Sequence, residues 1–332
     1  MKGLNWIVRK GLSAIITIFT AITFTFFIIH LMPGNPIDAY IDHLISLGWP
    51  PDRAEELVKY IFNLESLNEP IWKKYVSYVR DILTGNLGHS FMSMSTPVSL
   101  VLAYALPWTA FLVSISLSLS FVVGVVTGMF IAYRRGGVLD SSVTLIGSIM
   151  ASIPSYIFAS IFAFVFCAIL RIFPAGGAYS AGATPGFNWP FISDVLYHSV
   201  VPISSYFITG IWVWLLSMRS STISILGQDY VVAAEARGLH KRRIAMTYVG
   251  RNAILPLFTT LAVTIGSMFG NGIFIETMFA YPGIGYIIGL GVSTRDYPII
   301  MGCFLVITVA VVAANFIADL LYGKLDPRIK IK

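Results

Sequence analysis

The side chains best placed for polar chemistry lie in one stretch, Gln228–Pro256. Glu235 sits among alanines and is followed by Arg237 and the basic run Lys241–Arg243. Small alanine side chains let a second protein approach a helix closely, and an acid among them can meet a positive charge or backbone donor on that protein. We therefore predict contact chemistry for this stretch. The alternative is a local pair between Glu235 and a nearby base, worth about 0.2–1 kcal/mol if exposed.

The sequence contains no recognisable catalytic or metal-binding constellation. None of the patterns H-E-x-x-H, G-x-S-x-G and G-x-x-x-x-G-K-[ST] occurs, and the five histidines are scattered. Cys167 and Cys303 fall inside apolar runs, where cysteine is most simply a small core residue. We predict that the chain is not an enzyme and binds no cofactor or metal, so that any ATP driving it is bound by another chain.

A short helix, a glycine break and a second helix are expected to position these side chains. Asp229 is a plausible N-cap, and Tyr230–Arg237 contains good helix formers and small residues. Gly238 fits the left-handed stop after a helix, with Leu239 placed for the hydrophobic contact that often follows. A second, basic helix is predicted to begin at His240. The pattern favours a protrusion that another protein can contact.

Two motifs in this stretch resemble a known family. The run AAEARG at 233–238, followed after a spacer by RNAILP, resembles the cytoplasmic EAA loop of ABC-importer permeases. The longer runs QDYVVAAEARGL and RNAILPLFT resemble the dipeptide/oligopeptide branch of that family. Further matching segments are Pro33-Gly34, Asn86–Ser90, ETMFAYPGIG (Glu276–Gly285), TRDYPI (Thr294–Ile299) and LDPR (Leu325–Arg328). The resemblance covers most of the chain and is of the first-permease type.

The resemblance implies a coupling helix that docks into a groove on an ATPase subunit. The residues it assigns to coupling are Asp229, Tyr230, Ala233, Ala234, Glu235, Ala236, Arg237, Gly238 and Leu239. It also implies a second homologous permease, two ATPase subunits that hold ATP and Mg, and an extracytoplasmic substrate-binding protein. The implied solutes are dipeptides or oligopeptides, with oligosaccharides and nickel as alternatives. The residues that line the substrate pathway stay unassigned.

Composition places the chain in a membrane. Hydrophobic residues make up 56% and charged residues 11% of the sequence, against about 45–50% and 25% in soluble domains. We predict an all-α integral membrane protein with six transmembrane helices. The predicted spans are 11–31, 108–132, 142–170, 195–219, 252–276 and 298–320. Pro107 is expected to separate an interfacial segment, Val98–Leu106, from the second span, and Pro154 to kink the third.

The domain boundaries follow from the polar interruptions. Residues 1–31 form the N-terminus and first span, 32–97 a small helical extracytoplasmic insertion, and 98–332 a five-span core with its coupling loop at 219–253. In the insertion, Asp52 and Glu55 suggest a capping box. A second helix after Pro70 has an apolar face that includes Trp72, Tyr75 and Val79, and this face is expected to be buried against the membrane core or a partner. This insertion is either a lid over the spans or a platform for a binding protein, and the sequence does not separate the two.

The charge distribution predicts orientation. The proposed inner segments hold 15 of the 22 Lys and Arg, and the long outer segment has eight acids against five bases. By the positive-inside rule, both termini and the coupling loop lie in the cytoplasm of a multi-pass cell-membrane protein. Membrane spans on both sides of the basic run Lys241–Arg243 disfavour a DNA-binding helix-turn-helix, so we predict lipid as a partner and no nucleic acid.

Two other function classes remain. A proton- or ion-coupled secondary transporter usually places ionisable groups in mid-membrane, whereas Glu276 and Asp319 lie near predicted span ends. A membrane receptor without transport is the third alternative. Neighbouring genes for two P-loop ATPases and a secreted binding protein would favour the importer.

Overall fold

The computed structural model describes residues 2–31, 36–61, 69–91 and 96–325, and the regular structure within these ranges is helical apart from one isolated β-bridge, between His89 and Pro97. The all-α expectation is confirmed. Pro33-Gly34 and most of Leu325–Arg328 lie outside the described residues.

Most of the described residues lie in α-helices. They are α1 (Lys2–Leu31), α2 (Pro36–Ser46), α3 (Pro51–Ile61), α4 (Ile71–Leu83), α5 (Val98–Ala132), α6 (Val138–Ser152), α7 (Ser155–Phe162), α8 (Trp189–Leu226), α9 (Asp229–Ala236), α10 (Lys241–Arg243), α11 (Arg251–Ala253), α12 (Leu255–Met278), α13 (Ile284–Thr294) and α14 (Tyr297–Leu325). Two π-helical segments, Ala163–Ile169 and Ile244–Gly250, continue α7 and join α10 to α11.

Four helices among the described residues are long and apolar enough to cross a membrane by themselves: α1, α5, α8 and α14. Two bent pairs raise the number to six if each counts as one span. One pair is α6 with α7 and its π-helical extension, and the other joins residues 241–253 to the first part of α12. Each of the six predicted spans overlaps one of these units, but the fifth, predicted over 252–276, overlaps the second pair, residues 241–265, only in part.

The third predicted span is broken rather than kinked. Its two halves, Val138–Ser152 and Ser155–Ile169, meet at 90°. Ile153 has extended dihedrals, φ −85° and ψ 124°, because the ring of Pro154 clashes with a helical conformation in the residue before it. The bend lies at Pro154 as predicted, but the expectation of a kink within one continuous helix is wrong.

The predicted boundary at Pro107 is also wrong. Helix α5 runs without interruption through this proline. Proline removes one helical hydrogen bond, but packing by neighbouring helices permits it inside membrane helices. Val98 and Leu102, in the first turns of α5, are buried against Ile284, Ile288 and other residues of α13 and α14.

The close pair of α5 and α8 forms the centre of the described helices. Gly124 and Gly128 of α5 face the backbone of α8, and an added Cβ at either position would meet atoms around Leu215 within 3.1 Å. Small residues that permit such an approach are typical of membrane helix interfaces. Ser120 lies against Gly210 in the same way.

Helices α2 and α3 form the small core of the insertion. Tyr40 and Leu44 of α2 bury against Ala54 and Val58 of α3. The capping box is wrong, because α3 begins at Pro51 and Asp52 already lies inside its first turn. Proline is favoured at the first helical position, where its missing N–H costs nothing.

Helix α4 packs on α1 through part of the predicted apolar face, which includes Tyr75. The Tyr75 hydroxyl is 2.8 Å from the Thr23 hydroxyl, and the Tyr78 ring stacks on Phe26. Burial raises the pKa of the Tyr78 hydroxyl to about 12. Trp72 is 61% exposed, so the expectation that it is buried is not met within this chain. The apolar arc of α4 is broad, and only part of it contacts α1.

Candidate functional site

The predicted coupling stretch folds as a compact protrusion between α8 and α12. Helix α9 is short, and its underside buries Val231 and Ala234. These side chains pack against Ile244 and Val249 of the π-helical segment that follows. This small apolar base holds α9 in place, so that its opposite face is presented to the surroundings.

A complete C-terminal capping motif ends α9 at Gly238. This glycine has φ +70°, the left-handed conformation that glycine adopts without a Cβ penalty. The Gly238 N–H donates to the Glu235 carbonyl at 2.9 Å, and the Leu239 N–H donates to the Ala234 carbonyl at 3.3 Å. These two bonds define a Schellman motif. Leu239 packs against the apolar base, so the predicted stop and its hydrophobic contact are confirmed.

The predicted start of α9 needs correction. Gln228, with extended dihedrals, occupies the N-cap position, and its side chain makes no capping hydrogen bond. Asp229 is the first helical residue, where its negative charge lies at the positive end of the helix dipole. The basic helix starts at Lys241, one residue later than predicted, and the His240 Nδ1 atom accepts the Arg242 N–H at 3.2 Å.

Seven of the nine predicted coupling residues lie on the exposed side of the protrusion. They are Asp229, Tyr230, Ala233, Glu235, Ala236, Arg237 and Gly238. Ala234 is buried and Leu239 half-buried, so these two hold the helix in place. Val232, which the sequence interpretation left out, is 54% exposed. This exposed valine, next to Ala233, adds apolar surface to the same helix.

Glu235 makes no ion pair with any residue in the described part of the chain. The predicted alternative of a pair with Arg237 or Lys241 is therefore not formed. Two effects raise the pKa of the Tyr133 hydroxyl, at the end of α5. Burial is the larger, and the nearby carboxylate of Glu235 is the smaller. The negative charge of Glu235 thus stays on an open surface, available to a partner.

A partly buried ion pair fixes α8, the helix that leads into this protrusion, to α6. The Arg219 guanidinium of α8 binds the Asp140 carboxylate of α6 through two bonds, Nε to Oδ1 at 2.5 Å and Nη2 to Oδ2 at 2.9 Å. The Gly136 N–H also donates to Asp140 Oδ2. Bidentate pairing of this kind fixes orientation as well as distance. It therefore holds α8 in position about two turns before that helix ends.

The segment Glu276–Gly285 lies at the end of α12 away from the coupling stretch, and it folds back so that its first and last residues are hydrogen-bonded. The Glu276 side chain is fully buried, and its Oε2 atom accepts the N–H groups of Gly285 at 2.7 Å and Tyr286 at 3.3 Å. Thr109 of α5 accepts the Ile284 N–H at 2.8 Å. Together they satisfy the N-terminus of α13, where an anion is favoured by the helix dipole.

A small uncharged recess lies between α5, α7, α8 and α12. Its volume is about 120 Å³, and it is partly open. It is lined by hydroxyl-bearing, apolar and small residues: Leu117, Ser120, Ser155, Tyr206, Thr209, Gly210, Trp214, Thr264 and Met268. Its lining carries no acid or base, so its chemistry is hydrogen bonding and apolar contact rather than ion binding. Among the residues whose side chains the structure describes, no group of three or more metal-binding side chains occurs.

The chain resembles known proteins over almost its whole length. Residues 124–331 match the family described as "Binding-protein-dependent transport system inner membrane component". Similar proteins include the oligopeptide transport system permease protein AppB of Bacillus subtilis, 30% identical over 98% of this chain and 99% of the relative. The dipeptide transport system permease protein DppB of the same organism is 28% identical over 98% of each chain. A protein of Brucella suis biovar 1 whose name describes a peptide permease is 35% identical over 92% of each chain.

Proposed function

The chain belongs to the family of binding-protein-dependent transport system inner membrane components, and on this premise we propose that it carries dipeptides or oligopeptides across the cell membrane. It is a multi-pass permease subunit of an ABC importer. In the proposed assembly it forms half of the translocation pathway, and a similar second permease forms the other half. A separate binding protein delivers the peptide from outside.

The observation that carries the proposal is the exposed face of α9. The small side chains of its alanines and the absence of one at Gly238 let another protein approach closely. Glu235 has no ion pair among the described residues, and packing holds the underside of the helix in place. A surface of this kind suits the groove of a partner that brings a positive charge or backbone donor. We assign that partner to the ATPase subunits, which would hold ATP and Mg and hydrolyse the nucleotide. This assignment places α9, with both termini of the chain, on the cytoplasmic side.

Solute class is tested by reconstitution of the complete importer. The chain, its partner permease and its ATPases are reconstituted in proteoliposomes. ATP is supplied on the side of the membrane where the ATPases lie, and the binding protein is supplied on the opposite side. We expect labelled dipeptide or oligopeptide to accumulate only with ATP and the binding protein, and unlabelled peptide to compete. Accumulation of an oligosaccharide or nickel that peptide does not inhibit would contradict the proposed solute.

The competing secondary-transporter function has weaker support. Glu276 is buried, but its carboxylate binds two backbone N–H groups at the start of α13, which is a structural role. The recess beside Tyr206 is uncharged in its lining. Neither feature offers a coupling ion a set of charged ligands. The same proteoliposomes, with ATP omitted and a proton or sodium gradient imposed, are expected to show no peptide uptake.

A further inference from the structure

Helix α4 leaves half of its apolar surface without a partner among the described residues. Trp72, Val76 and Leu83 are 61%, 59% and 82% exposed. At 100° per residue they fall within about 40° of one another around the helix, so they form one continuous stripe. The adjoining sector, with Tyr75 and Tyr78, is the one that packs on α1.

The height of this stripe follows from the residues of α1 that α4 touches. The apolar span of α1 runs over Val8–Leu31, and Tyr75 contacts Thr23 and Phe27. Thr23 lies eight residues before Leu31, which is about 12 Å along a helix axis. Helix α4 therefore lies beside the last third of an apolar span and not above its end.

The remaining side of α4 is polar and basic. Lys73, Ser77 and Arg80 are exposed there, and Asp81 is the one acid of the helix. The Lys73 ammonium is 5.8 Å from the centroid of the Trp72 ring, at the edge of the apolar stripe. Tryptophan and tyrosine beside basic residues are the composition of a helix at a membrane surface, where the rings sit at headgroup level.

We propose that α4 lies in the membrane–water interface, parallel to the bilayer surface and against α1. Its Trp72–Val76–Leu83 stripe contacts acyl chains, and Lys73 and Arg80 contact phospholipid phosphates. Without lipid, the apolar stripe at this height would face water beside a hydrocarbon layer about 30 Å thick. Exposure of apolar surface to water costs free energy in proportion to the exposed area. The partner of this face is therefore lipid, and the insertion is fixed to the membrane by α4 as well as by α1.

The depth of single labels in the assembled importer tests this inference. Cys167 and Cys303, the chain's two cysteines, are replaced by alanine, and a nitroxide is attached to Trp72→Cys, Val76→Cys or Leu83→Cys. Ser77→Cys, on the polar side of the same helix, is the matched control. Labelled variants that assemble like the cysteine-free protein are placed in phospholipid nanodiscs, and relaxation by oxygen and by a water-soluble nickel chelate is compared at each site.

The stripe labels are expected to favour oxygen and to lie about 5–10 Å below the phosphates, whereas the Ser77 label favours the nickel chelate. Equal access of the nickel chelate to all four labels would place α4 in water and overturn the inference. Stripe labels shielded from both reagents would assign the stripe to a protein partner and overturn it as well. The solute does not enter this test, so its outcome is separable from that of the peptide proposal.

Discussion

The Ser90 hydroxyl donates a 2.6 Å hydrogen bond to the Asp296 carboxylate, which joins two segments 206 residues apart in the chain. Both side chains are buried. Asp296 also accepts the Ile299 N–H at 3.3 Å at the start of α14. The motif segments Asn86–Ser90 and Thr294–Ile299, which are distant in the sequence, thus meet in one polar contact that ties the insertion to the core.

Removal of this hydroxyl is expected to destabilise the junction. Ser90→Ala takes a donor from a buried carboxylate, a loss of about 1.5–3 kcal/mol for a hydrogen bond to a charged group. Thermal unfolding of the purified permease in detergent measures the change. Ser77→Ala, an exposed serine of α4, is the control and should leave the melting temperature unchanged. Equal melting temperatures for the two variants would show that the Ser90–Asp296 bond contributes nothing to stability.

The pair of Arg219 and Asp140 should depend on the shape of the guanidinium. Arg219→Lys keeps the positive charge but cannot make the two parallel bonds, so we expect a loss of about 1–3 kcal/mol. The exposed Arg242→Lys is the matched control. Unfolding in detergent, monitored for both, should show a lower midpoint for Arg219→Lys alone. An unchanged midpoint would mean that charge without bidentate geometry is enough to hold α6 against α8.

Substitution of Glu276 separates a structural carboxylate from one that carries a coupling ion. Glu276→Gln removes the negative charge from the N-terminus of α13 and weakens its two backbone bonds, for an expected loss of about 1–3 kcal/mol. Peptide uptake by the surviving protein should remain dependent on ATP and insensitive to a proton ionophore. A variant with normal stability and no uptake would instead assign Glu276 to the transport step.

Sidedness of the insertion and the coupling stretch is predicted by the charge asymmetry. Single cysteines at the exposed positions Arg53 and Arg242 should react with a membrane-impermeant maleimide from opposite sides of the membrane. In intact cells we expect labelling at Arg53→Cys only, and in lysed cells labelling at both. Reaction of both in intact cells would contradict the proposed orientation and exclude a cytoplasmic α9.

Local signals in the sequence were sufficient where a single residue type determines the backbone. Gly238 ends α9 in the left-handed conformation because the position needs φ above zero. Pro70 precedes α4 and Pro51 opens α3 for the same kind of local reason, although the capping pattern around Asp52 placed the start of α3 two residues too far along.

Features that depend on distant packing were not accessible to the same reasoning. Pro107 predicts a boundary between an interfacial segment and a span. Contacts with α13 and α14 instead hold the first turns of α5 in line with the rest of that helix. The periodicity of α4 identifies a broad apolar arc but not the part of the arc that faces α1. Trp72 was therefore expected to be buried, although it lies outside the contact with α1. In the sequence, Glu276 is only an acid near the end of a predicted span. Its structural role could not be predicted, because its partners, Gly285 and Tyr286, are brought to it by the turn that follows α12.

The exposed face of α9 is the central element of the proposed mechanism, and Gly238→Asp tests it. An added Cβ at Gly238 meets no atom of the described residues within 4 Å, so a larger side chain is accommodated until a partner docks. Left-handed backbone costs a non-glycine residue about 1–2 kcal/mol, and Asp tolerates it better than most. Gly48→Asp, at φ +90° and equally open but in the insertion, carries the same strain on a surface remote from α9.

The most direct measurement is peptide-stimulated ATP hydrolysis by the reconstituted importer, with co-purified ATPase and uptake recorded on the same samples. We predict that Gly238→Asp abolishes stimulated hydrolysis and uptake and lowers ATPase retention, whereas Gly48→Asp retains all three. Peptide binding to the separate binding protein should be unchanged in both. If Gly238→Asp matches Gly48→Asp in hydrolysis, retention and uptake, α9 does not couple ATP hydrolysis to transport.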